Sequence, residues 1–273
     1  MTEKAILYDA TTCIACRACQ VACKQWNDNP AEKEESWGDY PKQKDISANT
    51  WLKIMFNEAE SYGEATYLFA RRACMHCTDA ACVEVCPTGA LYHNELGFVT
   101  YNKDICSGCG YCVDFCPFGV PHIGGAGEGI FPKMDKCTLC TTPGADRLAE
   151  GYEPACVKTC PTDSLVFGDR EELLALGRQK VNNLKNQGYS NAYLYGDTEL
   201  GGLHVLYVLK DSPDKYGLPV NPEFPALATL WQDIVQPLGL AAGGLVLAGL
   251  GLNHIIARRA KKIKEKAEKK EEV

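Results

Sequence analysis

The chain has 273 residues, 46% hydrophobic and 23% charged, with a formal net charge of −7, long enough for one large or two modest domains with a buried core. The charge is uneven: residues 258–273 hold eight Lys/Arg and four Asp/Glu, or +4, which leaves −11 for the remainder. That acidic body excludes the basic face a nucleic-acid binder requires.

Sixteen cysteines decide the class. All fall into four groups of four: Cys13, Cys16, Cys19, Cys23; Cys74, Cys77, Cys82, Cys86; Cys106, Cys109, Cys112, Cys116; and Cys137, Cys140, Cys156, Cys160. None is left over for a disulfide, so cysteine usage says nothing about redox compartment. Zinc is the competing reading of any Cys-x2-Cys pair. A run that supplies three thiols in one turn and aims a fourth elsewhere suits iron-sulfur cubes better.

In chain order, MTEKAILYDATTC has no apolar stretch and no arginine pair, Arg17 being the first arginine, so no signal peptide is expected. Ile6, Leu7 and Tyr8 predict a short strand. The first group, Cys13-x2-Cys16-x2-Cys19-x3-Cys23, carries Lys24 where a proline is usual. Residues 24–73 read as an insertion: an acidic start from Pro30 to Glu35, then strands over Thr50–Phe56 and Ala65–Phe69 joined by a loop at 57–64.

Two adjacent runs follow, Cys74-x2-Cys77-x4-Cys82-x3-Cys86-Pro87 and Cys106-x2-Cys109-x2-Cys112-x3-Cys116-Pro117. The second is the bacterial ferredoxin run, in which the fourth cysteine ligates the neighbouring cluster. Cys74, Cys77 and Cys82 with Cys116 are therefore expected to hold one [4Fe-4S] cluster, and Cys106, Cys109 and Cys112 with Cys86 another. The loop GGAGEG after them lacks the lysine and helix context of a phosphate cradle. The last group is stretched, Cys137-x2-Cys140-x15-Cys156-x3-Cys160-Pro161. By symmetry it pairs with the first: Cys13, Cys16 and Cys19 with Cys160, and Cys137, Cys140 and Cys156 with Cys23. The expected fold is α+β, a tandem double ferredoxin-like domain over 1–168 holding four [4Fe-4S] clusters, with the inserted hairpin.

Residues 169–233 are expected to pack on that core and lead to a membrane. Asp169 and Glu172 predict a capping box for a helix with Leu173, Leu176, Val181 and Leu184 on one stripe, ending before Gly188. Asn191–Tyr195 and His204–Leu209 read as strands. From Ile234 to Ile256, twenty-three residues carry no formal charge, enough to cross ~30 Å of hydrocarbon. Trp231 sits at an interfacial position and Pro237 in the first turn. Residues 234–257 are thus read as one transmembrane helix rather than a buried core helix, and 258–273 as a basic tail. No Lys or Arg lies between Tyr216 and Pro237 while eight follow Ala257, which predicts a cytoplasmic C-terminus and a periplasmic cluster domain. Export together with a signal-bearing partner is the corollary.

The segments CIACRACQVACKQWN, CMHC, CSGCGYCVDFCPFGVP, KCTLC, EPACVKTCPT, GYSNAYLYG and HVLYVLK, with the single C-terminal helix, resemble the iron-sulfur (beta) subunits of membrane-bound respiratory formate dehydrogenases of the formate dehydrogenase-N type, from Tyr8 to about Ile256. The resemblance implies a relay. A molybdenum- or tungsten-pterin alpha subunit would oxidise formate, four clusters would carry the electrons, and a cytochrome b gamma subunit would pass them to quinone. It also implies a cubane at Cys109, where nitrate reductase relatives lack cysteine and build a [3Fe-4S] cluster. The chain departs from the pattern in having no N-terminal extension and in the longer spacer TTPGADRLAEGYEP. Other catalytic partners, such as a hydrogenase or another molybdopterin enzyme, remain the second reading.

No nucleophile constellation, pterin signature or nicotinamide fingerprint is visible, so a non-catalytic electron-transfer subunit is expected. Arg17, Lys24, Lys136 and Lys158 stand beside ligands and are candidates to raise cluster potentials locally, but are read first as solvated surface groups. His76 is read as a neighbour of the site or a surface group, since Cys77 completes its set. His254, alone in the apolar helix, is a candidate haem contact but is read first as an interfacial group.

Overall fold

The computed structural model describes residues 2–32, 45–124, 132–225 and 234–271. The chain forms two compact units, Met1–Pro225 and Ala226–Val273. Trp231, most of GGAGEG and residues 33–35 of the acidic start lie outside the described residues.

Strand β1 (Lys4–Asp9) replaces the predicted Ile6–Tyr8, and α1 (Ala18–Trp26) follows it. Then come β2 (Lys53–Ser61) and β3 (Glu64–Arg72), α2 (Ala81–Glu84), the short pair β4 (Leu91–His93) and β5 (Val99–Tyr101), and α3 (Tyr111–Asp114). Small antiparallel pairs β6 (His122–Ile123) with β7 (Met134–Asp135) and β8 (Thr141–Thr142) with β9 (Ala145–Asp146) lead to α4 (Ala155–Lys158). Last are β10 (Leu165–Asp169), α5 (Arg170–Asn186), β11 (Tyr193–Tyr195), β12 (Val205–Leu209) and α6 (Gln236–Glu271).

One four-stranded sheet, in the order β10-β1-β12-β11, supports the rest. β1 runs parallel to β12, with Ile6 opposite Val205 and Tyr8 opposite Tyr207, and antiparallel to β10. Because side chains alternate across a strand, the sheet has two buried faces. Ala5, Leu7, Leu206 and Val208 pack under α5 against Leu173, Leu174 and Val181. Ile6, Tyr8, Val205, Tyr207 and Leu209 face the other way, into the core that holds Cys19, Cys23, Cys74, Cys137 and Cys156. The central strand β12 is apolar and buried throughout, and β1 nearly so, because neither face there meets water.

Two expectations need correction. The inserted hairpin is longer than its sequence suggests: β2 and β3 pair without interruption from Lys53–Arg72 to Ser61–Glu64, so the predicted loop at 57–64 is mostly strand. Only Tyr62 (φ 55°) and Gly63 (φ 81°) turn, a two-residue connection with both residues left-handed. The polar run NEAES disguised a strand whose alternate residues face solvent. The capping box also fails to form. Asp169 precedes α5, but its carboxylate accepts from Lys4 Nζ and Thr2 Oγ1, both at 2.7 Å, and makes no cap hydrogen bond. A cation that crosses the sheet competes successfully with the backbone.

Asparagine and glycine shape the β4–β5 turn: Asn94 Oδ1 accepts from the N–H of Leu96 and Phe98, and Gly97 sits at φ 88°. A Cβ on Gly97 would stand 2.2 Å from His204 Cε1. His204 cannot yield, since its Nδ1 donates to the Lys4 carbonyl at 2.7 Å and it is 1% exposed. Gly97→Ala is expected to cost about 3 kcal/mol from left-handed strain and overpacking together, read as a lower apparent melting midpoint of the iron-loaded protein.

Asp211 fixes the insertion to the C-terminal part of this unit. Fully buried, it accepts from Ser61 Oγ (2.7 Å), Asn191 Nδ2 (3.2 Å), the Ser212 N–H (2.8 Å) and Lys215 Nζ (2.8 Å). Burial alone would raise its carboxyl; the donors win and hold it at about 2. A depressed folded value stabilises fully above the unfolded value of about 3.9, and the contribution is lost as pH falls from about 4 towards about 2. Asp211→Asn is expected to cost about 2 kcal/mol at neutral pH and to flatten this part of the acid-unfolding curve.

Candidate metal centres

Three of the four cysteine groups end on a proline, and their helices obey it. α2, α3 and α4 are four residues long and stop two residues short of Cys86, Cys116 and Cys160, which precede Pro87, Pro117 and Pro161. A residue before proline is pushed out of the helical region. Where Lys24 stands in its place, α1 continues past Cys23 to Trp26. In all four the third cysteine, Cys19, Cys82, Cys112 or Cys156, is the second residue of the helix. Three intervening residues then carry the fourth thiol about one turn, roughly 5–6 Å, along the axis.

The loops before these helices repeat a backbone feature. Two residues after the first cysteine of each group stands a left-handed residue: Ala15 (φ 54°), His76 (φ 49°), Gly108 (φ 70°) and Leu139 (φ 56°). Such reversals turn successive N–H groups inward as an anion-binding nest. Ala15 donates its N–H to Cys13 Sγ and Leu139 to Cys137 Sγ, each at 3.4 Å. For non-glycine residues the conformation costs about 1–2 kcal/mol each, so the surrounding loop and its sulfur partner must hold it. Only Gly108 is readable as such in sequence.

Two of the expected thiol sets line cavities, and thiols of the other two act on one another electrostatically. Cys13, Cys16, Cys19 and Cys160 line one small cavity, of about 20 Å³, beside Tyr8, Ile54 and Leu165. Cys86, Cys106, Cys109 and Cys112 line another of about 20 Å³, beside Leu91, Ile123 and Met134. Burial raises Cys23 well above its usual range, and Cys137, Cys156 and Cys140 raise it further. Burial likewise raises Cys77, helped by Cys74, Cys82 and Cys116. The helices pair in the same sense, α1 on α4 and α2 on α3.

The sets form a continuous series. Cys19 lies within electrostatic reach of Cys156, Cys74 of Cys137, and Cys82 of Cys112. The inner thiols Cys23, Cys137, Cys140 and Cys156 are all buried, whereas Cys16 at one end and Cys109 at the other are exposed.

The donor chemistry fits [4Fe-4S] groups. Burial pushes Cys19, Cys112 and Cys140 up to about 12, so these thiols ionise only against a strong local cation such as iron. Cys160 goes the other way: burial would raise it, but the N–H groups of Leu165, Thr162 and Ser164 and the Thr162 hydroxyl hold it below its usual value. Among the described residues no three His, Cys, Asp or Glu side chains are grouped to hold a single metal ion. The two sets seen to line cavities surround them instead of converging on one point, as a polynuclear group requires.

Lys136 corrects an expectation. It is 1% exposed and donates to the carbonyls of Val99 and Cys137. From there its charge reaches Cys74, Cys82 and Cys116. It precedes Cys137 in a run, Met134 to Thr141, whose residues are all buried. Lys24 is half-buried and donates to the carbonyls of Pro30 (2.6 Å) and Asn49 (2.9 Å); Arg17 lies 4.8 Å over the Phe56 ring; Lys158 is exposed. His76 is fully buried, its ring 5.7 Å from Phe98, and burial lowers it well below its usual value. Sequence reasoning missed Arg71, which is also 1% exposed. Its place on the inward-facing side of the end of β3 is its sequence signal.

α6 begins near the predicted start and includes Pro237 in its first turn, but it does not end with the apolar segment: the helix runs to Glu271 through the basic tail. Over Gln236–Ala260 it is apolar and long enough to span a membrane, with Leu238, Leu240, Leu245 and Leu247 65–77% exposed. His254 is exposed on the same helix.

Cysteine nests, short helices and paired runs define a ferredoxin-type electron-transfer protein. The 4Fe-4S dicluster domain family matches residues 12–90 and again 65–170. The chain is 42% identical to the formate dehydrogenase iron-sulfur subunit of Haemophilus influenzae, over 90% of this chain and 78% of that protein. It is 41% identical to the nitrate-inducible formate dehydrogenase iron-sulfur subunit of Escherichia coli K12, over 93% and 85%. The hydrogenase-2 operon protein HybA of Escherichia coli O157:H7 is 31% identical over 89% and 83%. The chain belongs to the formate dehydrogenase iron-sulfur subunit family, and is an electron-transfer subunit.

Proposed function

We propose that this subunit holds four [4Fe-4S] clusters and relays electrons from a molybdenum- or tungsten-pterin catalytic subunit that oxidises formate to a cytochrome b subunit and quinone. The ligand sets are Cys13, Cys16, Cys19, Cys160; Cys23, Cys137, Cys140, Cys156; Cys74, Cys77, Cys82, Cys116; and Cys86, Cys106, Cys109, Cys112. The observation that carries this reading is the packing of α1 on α4 and α2 on α3, since each helix pair brings two groups into range for exchange of their fourth thiols.

When bound, such clusters supply one-electron transfer with little rearrangement; the chain supplies position, dryness and charge. The apolar core around Cys19, Cys23, Cys74, Cys137 and Cys156 excludes water, and the nest N–H groups and Lys136 offset negative charge. The exposed ends at Cys16 and Cys109 are the points where electrons enter and leave. Residues 1–168, with 24–73 inserted, form the cluster-bearing part, 169–233 brace it, and 234–257 anchor it. The basic tail from Arg258 favours a cytoplasmic C-terminus, with the cluster domain in the periplasm. The chain itself carries no catalytic residue in this reading.

A hydrogenase partner is the second reading, favoured by the 31% likeness to HybA but by less identity than the formate relatives. The test is formate-dependent viologen reduction by the complex drawn anoxically from membranes through a tag on this chain. Formate activity is expected. Its absence from an intact, iron-loaded complex that consumes hydrogen would move the chain to the second reading.

A further inference from the structure

β3 ends on two arginines that alternation sends to opposite faces. Arg72 forms a two-pronged pair with Asp45, at 2.9 and 3.0 Å. Arg71 points into the core. Its carbonyl accepts from the Tyr207 hydroxyl at 2.6 Å, which pins the backbone, but Nε, Nη1 and Nη2 are all buried without a well-formed hydrogen bond, with only the weak acceptors Cys156 and Tyr207 beside them. The groups that act on it most are Cys156, then Tyr207, Cys137 and Cys19. A guanidinium does not deprotonate in proteins, so a permanent positive charge stands among these thiols.

A buried cation without an anion is among the most destabilising features a core can carry. Thiols supply no charge until they are ionised, and these are the thiols expected to bind iron. Four thiolates leave a [4Fe-4S] group net negative in either oxidation state, and more so when reduced. The orphan guanidinium and the thiol set therefore complete each other. Its place also matters: Cys156 and Cys137 belong to the inner set, while Cys19 belongs to the end set, so the charge stands where two negative groups would adjoin.

We propose that Arg71 is a fixed cation for the cluster held by Cys23, Cys137, Cys140 and Cys156, raising its reduction potential and shielding it from the cluster held by Cys13, Cys16, Cys19 and Cys160. The proposal rests on the four-cluster reading above. A cation favours the more negative, reduced state, so the potential rises; shielding keeps reduction of one cluster from suppressing reduction of its neighbour. Arg71 acts through the cluster and touches no substrate. It is a positioning residue for charge, as Lys136 is for the next set.

The experiment is an EPR-monitored redox titration of the tagged complex carrying the wild-type chain, Arg71→Met, Arg71→Gln or Arg71→Lys, with iron and labile sulfide measured on each. Iron content of the wild type tests the four-cluster reading separately. In the neutral variants one midpoint is expected to fall by at least a tenfold shift in the reduced-to-oxidised ratio, about 59 mV for one electron. A second midpoint falls less and the other two stay. Arg71→Lys restores the first. Fully loaded neutral variants with all midpoints unmoved would overturn the proposal. If neither neutral variant loads iron, Arg71→Lys decides: full loading with the wild-type midpoint supports the charge, and a tenfold fall despite the retained charge, or failure to load, refutes it.

Discussion

Cys160→Ser is expected to abolish the cluster of Cys13, Cys16 and Cys19 and to leave that of Cys137, Cys140 and Cys156 intact, although Cys160 and Cys156 are only four residues apart. The physical reason is the helix between them. Cys156 is the second residue of α4 and Cys160 lies past its end, so the two thiols leave the helix about one turn apart. Cys160 opens onto the cavity lined by Cys13, Cys16 and Cys19, while Cys156 acts on Cys140 and Cys23 of the inner set. The reciprocal change, Cys23→Ser, is expected to remove the signal of the inner set. Low-temperature EPR of the reduced complexes checks both. Loss of the same signal in Cys160→Ser and Cys137→Ser would overturn the exchange. Electron delivery to the membrane acceptor should fall by more than the roughly 10–100-fold that loss of an outer-shell partner costs at a metal site, because a series has no bypass.

Ending the chain after Pro225 is expected to convert a membrane-bound protein into one that stays in the aqueous fraction with its iron intact. The unit Met1–Pro225 has its own sheet and cores, whereas α6 contributes apolar side chains that the chain itself leaves exposed. At 1.5 Å per residue the 25 residues of Gln236–Ala260 reach about 37 Å, more than the ~30 Å of hydrocarbon. The full chain should resist alkaline extraction from membranes and the truncated chain should not. A truncated chain that still sediments with membranes free of other subunits would contradict the role given to α6.

The sixteen cysteines, their grouping and the first strand are legible because their signals are local: spacing along the chain, proline after the fourth thiol, an apolar run. The sheet is less so. β1 finds β12 about two hundred residues away in parallel register, and nothing in AILYD names that partner. The left-handed residues at Ala15, His76 and Leu139 are invisible in sequence because glycine marks only Gly108; sulfur, not residue type, stabilises the conformation. Lys136 reads as a surface cation by composition, and Arg71, beyond its place in β3, carries no signal that sets it apart. Their burial beside thiols of several groups is a property of the assembled fold and not of any window of sequence. The capping box at Asp169 failed for a related reason, since Lys4 arrives only after the sheet has formed.

The most direct measurement is iron, zinc and acid-labile sulfide per chain in anoxically purified full-length protein, followed by dithionite reduction of its visible absorption. Four irons and four sulfides for each of the four thiol sets, with absorption that bleaches on reduction, is the predicted result. Zinc in place of iron, or iron sufficient for only two clusters, would contradict the account at its centre.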